Sequence, residues 1–274
     1  MFQKYLIVAS KKDKAGINIT TQLSQFRENP LLSSWGNKSS FDFYLVEGEI
    51  IYTENLNLEK INQYDFIIFA SKHQSESKEK TLSVHAPGNF NTADFGGVPE
   101  KLCPASALFN KFLFIKLEEQ AKKTGINYKV TLECTHHGPL IEKPCVFIEI
   151  GSTETEWNDR RAGFIIAKTI KDTIEEFKEN QYKEIAIGIG GPHYCPSFNK
   201  LQLTSNIAFA HIIPNYVMPI KEKSIIEAVK KTIETVDFAV LDWKGLGKSE
   251  QRQGIVDMLS ENYVQWKKTS DIKR

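Results

Sequence analysis

The chain has few cysteines and no pairing pattern among them: Cys103, Cys134, Cys145 and Cys195 are widely spaced and form no CxxC. That argues against a disulfide framework or a structural zinc knuckle, and the four are expected as buried fillers near strand ends. Net charge is also lacking. Thirty-five Lys and Arg against thirty-four Asp and Glu leave a formal charge of +1, so no global basic field exists, and any nucleic acid must be held by a local patch. No apolar run approaches the ~20 residues of a membrane span. The N-terminus enters the strand-like run Tyr5-Leu6-Ile7-Val8-Ala9 without a secretory apolar region or cleavage site, so a cytoplasmic protein with no membrane partner is expected. There is no GxSxG elbow, no Walker A lysine and no HExxH. The stretch Gly188-Ile189-Gly190-Gly191 lacks the full GxGxxG spacing. Serine hydrolases of the usual α/β type, P-loop NTPases and a Rossmann cofactor site are thereby disfavoured. Internal repeats, low-complexity tracts and linkers are absent too.

What is present is alternation. Apolar runs rich in Ile, Val and Phe occupy 5–9, 43–46, 66–70, 128–134, 145–150, 184–189, 206–213 and 237–241. Near-continuous runs of this kind suit a sheet covered on both faces. Helical patterns fall at 104–123, 158–179, 222–234 and 249–260, with Pro104 placed as a first-turn proline and Gly125 as a stop. Strand followed by helix, repeated, predicts an α/β fold, a single domain over 1–274 whose central sheet is mostly parallel or mixed and flanked by helices. The region 30–60 reads as an excursion on that frame, and Ser75 to Lys80 as a polar loop.

All six histidines sit beside strand ends or Gly/Pro turns. In open α/β sheets ligands bind beyond the carboxyl ends of strands, and several polar segments begin where a strand pattern stops. Ser71-Lys72-His73-Gln74-Ser75 follows one run, and His85-Ala86-Pro87-Gly88-Asn89 another. His136 and His137 follow the run ending near Glu133, and Gly190-Gly191-Pro192-His193-Tyr194-Cys195-Pro196 follows 184–189. A fifth segment, Glu149-Ile150-Gly151-Ser152-Thr153-Glu154-Thr155-Glu156-Trp157, leads into a helix, and backbone N–H groups at such a turn can converge on an oxyanion. Glu156 reads as a helix cap, and Glu154 as either a cap or a catalytic carboxylate. His211, inside an apolar run, reads as a core residue. Histidine with carboxylate is the ligand chemistry of catalytic zinc. Adjacent histidines point to opposite sides of an extended strand, so His136 and His137 can share one ion only if the turn at Gly138-Pro139 rotates one of them.

Taken together, the strings SKHQSES (71–77), SVHAPGN (83–89), CTHHGP (134–139), EIGSTETEW (149–157) and GIGGPHYCP (188–196) resemble the D-aminoacyl-tRNA deacylases of the archaeal and plant type. The resemblance is collinear over nearly the whole chain. It implies hydrolysis of the ester joining a D-amino acid to tRNA, a fold similar to phosphorylases and peptidyl-tRNA hydrolases, and zinc as cofactor, two ions per subunit. The matched motifs bring His73, His85, His136, His137, Glu149, Glu154 and His193 into the candidate site. The mechanism expected from both lines uses His137, Glu154, Ser152 and Thr153 as catalytic groups, with Glu154 orienting or deprotonating water. The Gly151-Ser152-Thr153 backbone would stabilise the oxyanion. His136, His193 and Glu149 are the expected metal ligands, and Lys72, His73, His85, Asn89 and Gly151 the substrate contacts. The tRNA arm is expected on a basic strip drawn from Lys72, Lys78, Lys80, Lys200, Lys244 and Lys248, with the protein acting as a monomer. Two rival readings are a metal-dependent amidohydrolase acting on a small molecule and a non-catalytic RNA-binding module. Competition by uncharged tRNA separates the first from a deacylase, and unimpaired deacylation by Glu154→Ala and His137→Ala would favour the second.

Overall fold

The computed structural model describes residues 2–26, 40–54, 56–178, 182 and 184–272. Among the described residues, ten strands divide between two sheets. The larger has the order β2 (Ser40–Val46), β1 (Lys4–Ser10), β3 (Phe66–Gln74), β6 (Cys145–Ser152), β4 (Thr81–His85), β5 (Lys129–Leu132). All of its pairings are parallel except β4 with β6, so it is mixed. The smaller is wholly parallel, in the order β10 (Trp266–Lys268), β9 (Phe238–Leu241), β7 (Glu184–Ile189), β8 (Ile207–Ile213). The α/β class and the mixed sheet are as the strand and helix pattern predicts. What that pattern does not separate is the second sheet, since a parallel strand buried on both faces reads the same wherever it pairs.

The two sheets share a core. Ile68, Ala70, Val146, Ile148, Leu82 and Val84 of the larger sheet fall in the same buried cluster as Ile185, Ala186, Ile207 and Ala208 of the smaller. The helix α3 (Ala107–Thr124) lies between them, its buried face carrying Phe109, Leu113, Phe114 and Leu117. Ser106 caps it by accepting from the Phe109 amide at 3.0 Å, and Gly125 ends it in the left-handed conformation. Gly125 is thus the stop the sequence predicts. Pro104 lies before the cap, not in the first turn, because the serine side chain sets the start two residues later. The helix α5 (Arg160–Glu176), capped by Asp159, packs against α1 (Lys14–Ser24) and α3. α1 and α6 (Pro196–Thr204) escape the sequence reading: α1 carries Ile, Thr and Thr in its interior, and α6 is only nine residues long. The excursion resolves in part into β2 at the sheet edge and α2 (Leu58–Ile61). Residues 27–39 and 55, including most of the 30–40 insertion, lie outside the described residues.

Lys111 of α3 is 1% exposed and donates to the carbonyls of Gln202, Ser205 and Ile207, joining the end of α6 to β8. Burial pushes its ammonium down to about 8. Lys111→Met keeps the aliphatic stem but leaves three carbonyls without that donor. It is expected to cost about 2–4 kcal/mol, read as a lower urea midpoint at unchanged slope.

Candidate active site

Side chains alternate across a strand, so the registers of β3, β6 and β4 decide what shares a face. His73 pairs with Gly151, Ser71 with Glu149, Ser83 with Glu149, and His85 with Phe147. One face of the larger sheet therefore carries His73, His85 and Glu149 among Ser71, Thr81, Ser83 and Gly151, small residues that leave room for them. Gly151 is required there: a Cβ would stand 2.3 Å from Thr81 Oγ1 and 2.9 Å from His73 Cδ2. The second wall is the segment Glu133 to His137. It leaves β5 and runs along the smaller sheet, with Cys134 N–H donating to His193 O and Thr135 N–H to Ile212 O. His193 follows β7 through the Gly190-Gly191 turn. The site thus sits where the two sheets meet, at the carboxyl ends of β3, β5 and β7.

Glu133 is its centre. The carboxylate is fully buried, with Oε1 3.2 Å from His73 Nδ1, and Oε2 3.0 Å from His193 Nε2 and 3.5 Å from His136 Nε2. Burial works to raise its pKa, but hydrogen bonds from His193 and His73 outweigh that and hold it well below the ordinary carboxylate range. Glu149 lies opposite, with Oε2 3.5 Å from His85 Nε2 and 3.7 Å from His73 Nδ1. Burial, and then the charge of Glu133, push Glu149 well up.

The turn after Glu133 does what two adjacent histidines require. His137 takes a positive φ of 45°, and its ring centroid comes to 4.3 Å from that of His136 and 4.9 Å from that of His85. In all three rings Nδ1 faces a carbonyl: Ala86 O for His85, Cys134 O for His136 and Gly138 O for His137. A carbonyl only accepts, so each Nδ1 carries the hydrogen and each Nε2 presents a lone pair. Burial lowers His85 to about 4 and His137 to about 3, and holds His136 well below its ordinary value. All three are neutral imidazoles, the form that ligates metal.

The donor set fits a metal. His85 Nε2 and Glu149 Oε2 are buried without a hydrogen-bond partner, and the two, both acceptors while Glu149 is ionised, face each other. A cation relieves that opposition, as does a proton held on Glu149, whose pKa is raised. Two sets without a common member each bring three ligand atoms within 4.8 Å of one another: His85, His136 and His137, and His73, Glu133 and His193. Overlapping sets are formed by Cys134 with His136 and His193, and by His85 with Glu133 and Glu149.

Over 60–267 the chain matches the family model for D-aminoacyl-tRNA deacylase. The chain belongs to the D-aminoacyl-tRNA deacylase family. A D-aminoacyl-tRNA deacylase of Thermococcus onnurineus is 37% identical over 263 residues, 90% of this chain and 93% of the relative. Its counterpart in Methanocaldococcus jannaschii is 34% identical over 275 residues, 97% and 99% of the two chains. A crystal structure described as a conserved protein of unknown function matches with a TM-score of 0.87 at 31% identity, covering 99% of this chain and 97% of that one.

Of the residues the deacylase motifs single out, the structure brings together His73, His85, His136, His137, Glu149, Gly151 and His193. Asn89 lies just outside, its amide donating to Gly96 O and bracing the 96–97 loop against Gly138. Lys72 Nζ pairs with Glu49 at 3.3 Å and lies 5.5 Å from the Trp157 ring centroid. Glu154 begins α4 (Glu154–Trp157), its side chain 64% exposed and paired with Lys14. Ser152 Oγ donates to Glu79 O. The Thr153 amide and hydroxyl both donate to Glu156, so the Glu154 turn is organised as a cap and its amide is engaged there. Glu156 is the cap the sequence indicates, and His211 is fully buried between Thr135 and Lys231, as expected of a core histidine. Sequence reasoning missed Glu133 and the hydroxyls around the rings. Tyr194 OH lies 3.0 Å from His73 Nε2, and Tyr216 OH 2.9 Å from Cys134 Sγ. Glu133 had one signal, a lone carboxylate closing an apolar run just before Cys134-Thr135-His136-His137.

Proposed function

We propose that the protein hydrolyses the ester of D-aminoacyl-tRNA in the cytoplasm as a zinc-dependent monomer, releasing D-amino acid and reusable tRNA at the Glu133-centred cluster. The observation that carries this is the cluster of neutral imidazoles around buried carboxylates with lone pairs turned toward one another, in a chain of the deacylase family. Zinc held by His85, His136 and His137, and a second ion by His73, Glu133 and His193, would supply Lewis acidity at the ester carbonyl.

The chain's own groups divide the remaining work. Glu149 Oε2, without a partner and facing both histidine sets, takes the proton lost by the attacking water and returns it to the departing ribose oxygen. Glu133 fixes the rings of His73 and His193. His136 and His193, 22% and 31% exposed, form the rim open to substrate. Overall, water adds across one ester bond, and no covalent enzyme intermediate is needed because the aminoacyl ester is already activated. No helix among the described residues is long and apolar enough to cross a membrane.

The test is hydrolysis of matched D-Tyr-tRNA and L-Tyr-tRNA. The D ester is expected to be cleaved and the L ester spared, with uncharged tRNA competing. Equal rates for both, or indifference to tRNA, would point to the small-molecule amidohydrolase reading instead.

A further inference from the structure

The smaller sheet is wholly parallel, so the carboxyl ends of β7, β9 and β10 lie along one edge. β7 leads to His193. β9 leads to Asp242-Trp243-Lys244-Gly245, whose loop is laid directly against the His193 loop: Asp242 N–H donates to Ile189 O, and a Cβ on Gly245 would stand 2.7 Å from Gly191 N. β10 ends at Lys268. On this edge Trp243 stacks on Trp266, with centroids 6.1 Å apart and planes 8° from parallel. Lys268 Nζ lies 4.3 Å from the Trp243 centroid and the Arg252 guanidinium 5.4 Å. Lys244 and Lys248 are exposed in the connecting loop.

These cations differ from Lys72 and Lys80, which pair with Glu49 and Glu156. Among the described residues Lys244, Lys248, Arg252 and Lys268 have no ion-pair partner, and Arg252 Nε is buried without a hydrogen-bond partner. The flanking carboxylates Glu250 and Asp271 are exposed, and the Asp271 side chain is engaged by the Lys268 amide and Ser270. Indole faces holding guanidinium and ammonium groups beside further free lysines are the chemistry that binds an RNA backbone.

We infer that the platform of Trp243, Arg252 and Lys268, with Lys244 and Lys248, holds the phosphates of the tRNA acceptor arm while the 3′ ester reaches His193. The inference rests on the deacylase reading and adds to it where the tRNA lies. β10 is two strands from β7, about 10 Å across the sheet, so the platform is continuous with the site. It also explains how a chain of nearly zero net charge holds a polyanion.

The probe is uncharged tRNA, bound to the zinc-loaded protein across a range of salt concentrations. The triple variant Lys244→Gln, Lys248→Gln, Lys268→Gln is expected to bind roughly tenfold or more weakly near 0.15 M salt, and to lose about 0.7–0.9 from the log-affinity against log-salt slope for each phosphate contact removed. Lys168→Gln, on α5 and paired with Asp172, is expected to bind like wild type. Unchanged affinity and slope in the triple variant would overturn the inference, as would weaker binding with the slope unaltered, since phosphate contacts would then not be what was lost. Failure of the deacylase reading shows separately, as wild-type protein that binds tRNA and leaves D-Tyr-tRNA intact.

Discussion

Stripping metal from the protein with a strong chelator is expected to lower D-aminoacyl-tRNA hydrolysis by about 10²-fold or more, and added zinc is expected to restore it. The reason is electrostatic as much as catalytic. Glu133 and Glu149 are both buried, and the charge of Glu133 itself raises the pKa of Glu149. Around them three imidazoles present lone pairs inward. Without a cation the opposition of Glu149 to His85 is relieved by a proton on Glu149, while the three imidazoles stay neutral. A second readout follows: metal binds the folded chain only, so at a hundred times its dissociation constant it adds about 2.7 kcal/mol of stability. For a chain of this length that is a rise of several degrees in Tm, on the order of 2–4 °C per kcal/mol. Equal turnover and equal Tm with and without chelator would remove zinc from the account.

Glu133→Gln is expected to have the next largest effect. Glutamine keeps the shape and loses the charge, so the side chain no longer offers two anionic oxygens to His73 and His193. Metal affinity should fall about 10- to 100-fold, as for other groups that ligate or orient ligands. With kcat/KM expected to drop by about 10²–10⁴, most of the loss should appear in kcat, since the platform inferred for the tRNA is built from Trp243, Arg252 and Lys268 and does not include Glu133. Glu154→Gln is the informative comparison. Its partner is Lys14 at the surface, and an exposed pair contributes little, so a change of less than about tenfold is expected.

How much of this was legible in the sequence follows from what each signal encodes. Strand-end histidines were visible because polar residues stand out after apolar runs, and period two places His73, Glu149 and His85 on one face once the registers are known. The registers themselves were not legible. Nothing local says that β4 runs against β6, yet that pairing sets Ser83 opposite Glu149 and brings His85 to the same face. The role of Glu133 was not legible for a related reason: it depends on His193 and His73, sixty residues away in either direction. Glu154 stood out locally, but a carboxylate in the first turn serves a helix terminus equally well, and there the fold leaves it. The left-handed His137 was foreshadowed only as a condition, that the turn before Pro139 must rotate one ring, and the backbone meets it.

The most direct test of the central claim, that the junction between the two sheets is a metal-holding hydrolytic centre, is an anomalous-scattering map of zinc-loaded crystals recorded at the zinc edge. The account predicts density among His85, His136 and His137 and between His73, Glu133 and His193, with zinc about 2.0–2.2 Å from nitrogen and carboxylate ligands. Zinc found only on surface carboxylates, with these imidazoles and Glu133 bare, would contradict it.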